Sequence, residues 1–123
     1  MKKIGFVGVG IMGKSMVRNL MKAGFEVSIY TRTRSKVEDV IGEGAIWCDS
    51  VAECAKGRDA VISIVGYPKD VIEVYFGPAG ILANADPGTY VIDMTTTSPK
   101  LAVQIFDEAE KLGLHAIDAP VTG

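Results

Sequence analysis

The sequence predicts a doubly wound α/β fold, a mainly parallel sheet with helices on both faces, and three observations predict it. Short strand-forming stretches alternate regularly with helix-forming ones, and the connections between them are short. Ala60-Val61-Ile62-Ser63-Ile64-Val65 is a nearly continuous apolar run, as expected of a strand covered on both faces. The glycine turn Gly8-Val9-Gly10-Ile11-Met12-Gly13 sits between Lys3-Ile4-Gly5-Phe6-Val7, rich in strand formers, and a helical segment with Met12, Met16 and Leu20 on one stripe.

Each element has a local reason. The first helix should stop at Gly24, which suits the left-handed position after a helix end. Phe25-Glu26-Val27-Ser28-Ile29-Tyr30 alternates apolar and polar residues and reads as the second parallel strand. Ser35-x-x-Glu38 and Ser50-x-x-Glu53 are capping-box patterns, the first opening a helix that ends near Gly42 or Gly44, the second a helix through Ala55. Pro68 suits the first turn of a helix carrying Val71, Ile72 and Tyr75, and Gly77-Pro78 breaks it. Asp86-Pro87-Gly88 is a turn leading into Thr89-Tyr90-Val91-Ile92-Asp93. Ser98-Pro99 opens a long helix with Leu101, Ile105, Ala109 and Leu112 on one stripe. Gly113 ends it before a last strand, Leu114-His115-Ala116-Ile117-Asp118.

Composition bounds the function. At 123 residues the chain reads as one domain, residues 1–123, short for a two-domain enzyme. A formal charge of −2 gives no reason to expect nucleic acid or an anionic membrane as partner. No apolar run approaches the roughly 20 residues a bilayer span needs. The opening residues are broken by glycines and lead into a polar helix, so they do not read as a signal peptide, and a cytoplasmic location is expected. Cys48 and Cys54 lack metal-ligand spacing and read as buried or idle thiols, with no metal site expected. Asp93, Asp118 and the single histidine, His115, read as strand-end or surface residues, and Met12, Met16 and Met21 as core filler.

In an open parallel sheet, ligands bind beyond the carboxyl ends of the strands. There Gly8 allows a tight turn, Gly10 lets a phosphate approach the backbone, and Gly13 lets the helix pack close to the sheet. The N–H groups of Val9, Gly10, Ile11, Met12 and Gly13 face an anion, with the helix dipole behind them. The ligand expected is a dinucleotide, on a Rossmann-type sheet. Binders of NAD usually carry an acid after the second strand to bond the ribose 2′-hydroxyl. Here the segment is Thr31-Arg32-Thr33-Arg34-Ser35-Lys36, with no acid before Glu38. An arginine fork and hydroxyls hold a 2′-phosphate, so Thr31, Arg32, Thr33 and Lys36 point to NADP(H), with NAD less favoured and Arg34 in support. The bland alternative is a set of solvated charges opening a helix, and three cations within five positions at this strand end weigh against it.

These residues also carry a family likeness. Phe6 to Leu20, with its Met12-Gly13 and Met16…Asn19-Leu20, resembles the signature of the 3-hydroxyisobutyrate dehydrogenase family, β-hydroxyacid dehydrogenases related to 6-phosphogluconate dehydrogenase. Ile92-Asp93-Met94-Thr95-Thr96-Thr97-Ser98-Pro99 is similar to that family's loop near the nicotinamide. Asp118-Ala119-Pro120-Val121-Thr122-Gly123 is similar to its substrate motif. The resemblance implies a cofactor contact at Thr96, cofactor-side positions at Val65 and Gly66, where the family commonly has Leu-Pro, and substrate contacts at Thr122, in place of serine, and Gly123. It implies reversible NADP(H)-linked oxidation of a short 3-hydroxy acid to its semialdehyde or keto acid by a homo-oligomeric oxidoreductase. The family's catalytic lysine and its helical substrate domain come after this motif, so residues 1–123 are expected to hold no catalytic residue and to bind cofactor without turnover. Two alternatives stand beside this: a non-catalytic NADP-binding regulatory module, and the cofactor domain of an imine reductase.

Overall fold

The computed structural model describes residues 2–8, 11–64, 68–94 and 99–118. Among the described residues, six strands form one sheet: β1 (Lys3–Val7), β2 (Glu26–Tyr30), β3 (Ile46–Trp47), β4 (Ala60–Ser63), β5 (Tyr90–Asp93) and β6 (His115–Asp118). The helices between them are α1 (Ile11–Lys22), α2 (Glu38–Gly42), α3 (Val51–Ala55), α4 (Pro68–Tyr75), α5 (Ile81–Asn84) and α6 (Pro99–Lys111). The sheet order is β3-β2-β1-β4-β5-β6, and every pair is parallel. The chain therefore starts in the middle, winds outward to β3, and returns through β4 to the other edge. That reversal between β1 and β4 is the topological switch point of a doubly wound sheet.

Alternation along the strands sends side chains into two separate cores. Ile4 and Phe6 of β1, Val27 and Ile29 of β2 and Ile62 of β4 join Val17 of α1 and Val40 of α2 on one face. Val7, Val61 and Val91 join Cys54, Tyr75, Ile81, Leu101, Ile105 and Ala109 on the other. The central strands are thus covered twice, which is why Val61-Ile62-Ser63 reads as a run without polar alternation. On the second face, α3 lies so close to β1 that a Cβ at Gly5 would stand 2.2 Å from the Cys54 carbonyl oxygen. Gly5 is a packing requirement that a strand-propensity reading of Lys3 to Val7 does not register.

Two local expectations need correction. Ser35 caps nothing: residues Arg34–Lys36 form a 3₁₀ turn begun at Thr33, and α2 starts after Val37 with no side-chain cap. Val37 is fully buried, so its anchoring in the core sets where the helix restarts. Leu112 lies beyond the end of α6 and is exposed, although Leu101, Ile105 and Ala109 are buried as the stripe predicts. Two elements carry no clear sequence signal: β3 has only two residues, and α5 is a single turn after the Gly77-Pro78 break. Ile72 on α4 is half exposed, whereas Tyr75 one turn on is buried.

Other expectations hold. Ser50 accepts the Glu53 amide at 3.1 Å, and the Glu53 carboxylate accepts the Asp49 amide at 3.0 Å, so this capping pattern forms. Cys48 and Cys54 are buried, unbridged thiols. Cys54 donates toward the carbonyls of Phe6 and Ser28, and Arg58 lies 3.9 Å from the Cys48 sulfur. The thiol–thiol hydrogen bond, burial and the Cys48 charge push Cys54 up, and the same bond with Arg58 pulls Cys48 down. His115 is exposed and lies against the Tyr90 ring, with centroids 4.9 Å apart.

Candidate functional site

The first glycine of the turn is fixed by its surroundings from both sides. Gly8 has φ +84, a region L side chains rarely adopt, and its amide donates to the Tyr30 carbonyl at 2.8 Å. A Cβ there would lie 2.1 Å from the Ile64 carbonyl oxygen. The chain leaving β1 is thus pinned between the ends of β2 and β4, at the switch point itself. From here it enters α1, whose first turn starts at Ile11 and contains no acidic residue. The helix dipole and the unsatisfied N–H groups of that turn therefore meet an incoming anion with no carboxylate of their own first turn opposing it. Gly13 is buried in that turn. The cradle, with a backbone that tolerates no side chain at Gly8 and a positive helix end beyond, fits the phosphates of a dinucleotide.

The segment after β2 forms the neighbouring wall. Thr31 is half-buried, and Arg32, Thr33 and Lys36 are exposed. Arg34 turns onto the Trp47 ring, its guanidinium carbon 5.7 Å from the centroid, and Trp47 in turn lies against Tyr30. Arg34 is thereby committed to the β2–β3 edge by a cation–π contact. Arg32 reaches the other way, and its Nη2 lies 3.7 Å from the Glu73 carboxylate on α4. The carboxylate on Glu73 escapes a sequence reading because it is 41 residues along the chain from Arg32 and has no motif of its own. A further pair, Lys14 and Arg18 of α1 with Asp39 and Glu43, clamps α1 to the start and end of α2.

The ends of β4 and β5 bring polar groups into the same edge. Ser63 and Asp93 are aligned in register and buried, and the Ser63 hydroxyl hydrogen-bonds the Tyr75 hydroxyl. Asp93 also borders a cavity of about 40 Å³ with Tyr75, Ala102 and Ile105, large enough for a water or two and far too small for a nucleotide. Among the sequence-derived candidates, the fold brings Gly8, the start of α1 with Ile11, Met12 and Gly13, and Thr31, Arg32, Thr33 and Lys36 to one edge of the sheet. Val9, Gly10, Val65, Gly66, Thr96, Thr122 and Gly123 lie outside the described residues. Among the described residues, no helix is long and apolar enough to cross a membrane.

Comparison with known proteins places this geometry in context. The family described as the NAD binding domain of 6-phosphogluconate dehydrogenase matches residues 3–123. The chain is 51% identical to the uncharacterized oxidoreductase YkwC of Bacillus subtilis, over 99% of this chain and 42% of that protein. It is 43% identical to the probable 3-hydroxyisobutyrate dehydrogenase-like 1 of Arabidopsis thaliana, over 98% of this chain and 36% of that one. It is 37% identical to the NAD-dependent L-serine dehydrogenase of Pseudomonas aeruginosa, over 100% and 41%. Among solved structures, Mycobacterium tuberculosis 3-hydroxyisobutyrate dehydrogenase with L-serine superposes with a TM-score of 0.90 at 32% identity, covering 100% of this chain and 41% of that one. The structure of Psf3 in complex with NADP+ and 2-OPP gives 0.90 at 27%, covering 98% and 43%. The imine reductase of Myxococcus stipitatus, solved with NADP+, gives 0.87 at 20% identity over 100% and 42%, a likeness that concerns the fold alone. The chain thus spans about two-fifths of the length of the relatives it matches.

Proposed function

This chain belongs to the family of NAD binding domains of 6-phosphogluconate dehydrogenase, and on that premise we propose that residues 1–123 bind NADP(H). The pyrophosphate rests on the turn from Gly8 through Val9, Gly10, Ile11 and Met12 to Gly13, and the 2′-phosphate lies against Thr31, Arg32, Thr33 and Lys36. Val65, Gly66 and Thr96 complete the cofactor side, and Thr122 with Gly123 meets the carboxylate or hydroxyl of the substrate. One observation carries the choice of NADP(H): from Thr31 to Val37 the wall beside the Gly8 turn presents cations and hydroxyls and no acid. The relatives themselves divide, one being named for NAD and another structure being solved with NADP+.

When bound, the nicotinamide supplies the hydride chemistry. The protein's part in this stretch is to grip the phosphates, orient the nucleotide along the strand ends and present a substrate carboxylate site. We infer that the whole protein interconverts a short 3-hydroxy acid and its semialdehyde or keto acid, and that residues 1–123 bind cofactor without turnover. Relatives named as 3-hydroxyisobutyrate dehydrogenases support this reading. Titration of the 123-residue chain with NADPH and NADH, followed by nicotinamide fluorescence, tests the cofactor. NADPH should bind about tenfold tighter or more, the scale of charge-assisted bonds to one phosphate, and Arg32→Ala should remove most of that difference. Tighter binding of NADH would overturn the choice. Clear NADPH-dependent reduction of glyoxylate or succinic semialdehyde by residues 1–123 alone would overturn the assignment of turnover to other parts of the protein.

A further inference from the structure

The Arg32–Glu73 pair occupies a particular place in the topology. Arg32 follows β2, Glu73 lies on the helix that follows β4, and β1 runs between those two strands. The pair therefore joins the two flanks of the Gly8 turn across the switch point. Both side chains are largely exposed, 68% for Arg32 and 73% for Glu73, so water screens the contact and another anion can replace it. The segment from Thr31 to Val37 has no acid, and Glu73 brings a carboxylate to Arg32 from α4. Of the other cations nearby, Arg34 lies over Trp47 and Lys14 pairs with Asp39.

We propose that Glu73 is a specificity-determining residue: it is a counter-charge with which a 2′-phosphate must compete for Arg32, and it thereby lowers the preference for NADP(H) over NAD(H). The inference rests on the reading of Arg32 as the 2′-phosphate ligand. A 2′-phosphate brings up to two negative charges to a guanidinium that already has a carboxylate 3.7 Å from its Nη2, so Glu73 opposes it both by competing for the guanidinium and by repulsion. A ribose 2′-hydroxyl is neutral and meets neither effect. The pyrophosphate is common to both nucleotides, so its interaction with Glu73 cancels in the ratio of the two affinities. Screening makes the effect largest at low ionic strength.

The test measures dissociation constants for NADPH and NADH on the full chain in four forms: unchanged, Glu73→Gln, Arg32→Ala and the double substitution. Glu73→Gln should raise the NADPH-over-NADH preference about two- to fivefold, the range of an exposed ion pair, through tighter NADPH binding, and the gain should shrink with added salt. In the Arg32→Ala background, the same substitution should change the ratio little. An unchanged ratio in Glu73→Gln, with Arg32→Ala still weakening NADPH, sinks the role of Glu73 and leaves Arg32 standing. Unchanged NADPH binding in Arg32→Ala removes the Arg32 reading and this inference with it. Weaker NADH binding in Glu73→Gln, or an undiminished gain without Arg32, also overturns it, since Glu73 would then act on the ribose or on the site at large.

Discussion

Single residues within and just after β1 carry the strictest demands. Gly8 is constrained twice, by a positive φ and by the Ile64 carbonyl 2.1 Å from any Cβ. Gly5 is constrained once, by the Cys54 carbonyl at 2.2 Å, with ordinary backbone angles. The two should fail differently. Gly8→Ala should cost more than about 2 kcal/mol through backbone strain and overlap together, and should abolish nucleotide binding even where the chain stays folded. Gly5→Ala should cost about 1–3 kcal/mol by overpacking alone and leave the affinity of the folded fraction close to unchanged. Denaturant unfolding paired with NADPH titration separates the outcomes, and full binding by Gly8→Ala would show that the turn is not the phosphate cradle.

At the scale of elements, the two capping patterns make a controlled comparison. Ser50 accepts a backbone amide and Ser35 sits inside a 3₁₀ turn, although their sequence signatures are the same. Ser50→Ala should therefore cost about 1 kcal/mol and lower Tm by roughly 4 °C or more, and Ser35→Ala should change neither. Equal losses in both would contradict the observed boundary of α2. The clamp between α1 and α2 gives a pH-dependent counterpart. Burial works to raise the Asp39 carboxyl, but hydrogen bonds from Lys14 and the Val40 amide, with the charges of Lys14 and Arg18, outweigh it and hold the group below its ordinary value. Because the folded value lies below the unfolded one, the stabilisation is present above pH 3.8 and is lost as the pH falls through the lower folded value. Asp39→Asn should thus lower Tm at neutral pH, and melting curves of the two proteins should converge in strong acid. A gap that persists there would assign the effect to packing.

For the whole molecule, the switch point follows from a sheet that begins in its middle strand, and the proposed ligand site follows from the switch point. Much of the fold is legible in the chain: Ala60 to Ser63 announces a doubly covered strand, and the glycine turn between strand and helix marks the end of the sheet at which phosphate binding is proposed. What stays hidden is of two physical kinds. The β3 strand and α5 are too short for periodicity to register, and they exist because β2 and the second core hold them in place. Glu73 and the close approach at Gly5 are tertiary facts, produced by neighbours distant in the chain, and residue type alone does not announce them. The cation-rich wall was legible as composition, but the division of labour within it was not: Arg34 goes to an aromatic ring and Arg32 to a carboxylate across the turn. The proposed dinucleotide lies along the carboxyl ends of β1, β2 and β4. The most direct measurement is amide chemical-shift mapping of the isotopically labelled chain during titration with NADPH. Saturable shifts should concentrate in residues 8–13, 31–36 and 64–66, with the groove between α4 and α6 near Phe76, Gln104 and Lys111 unchanged. Shifts centred on that groove, or none at saturating NADPH, would contradict that placement.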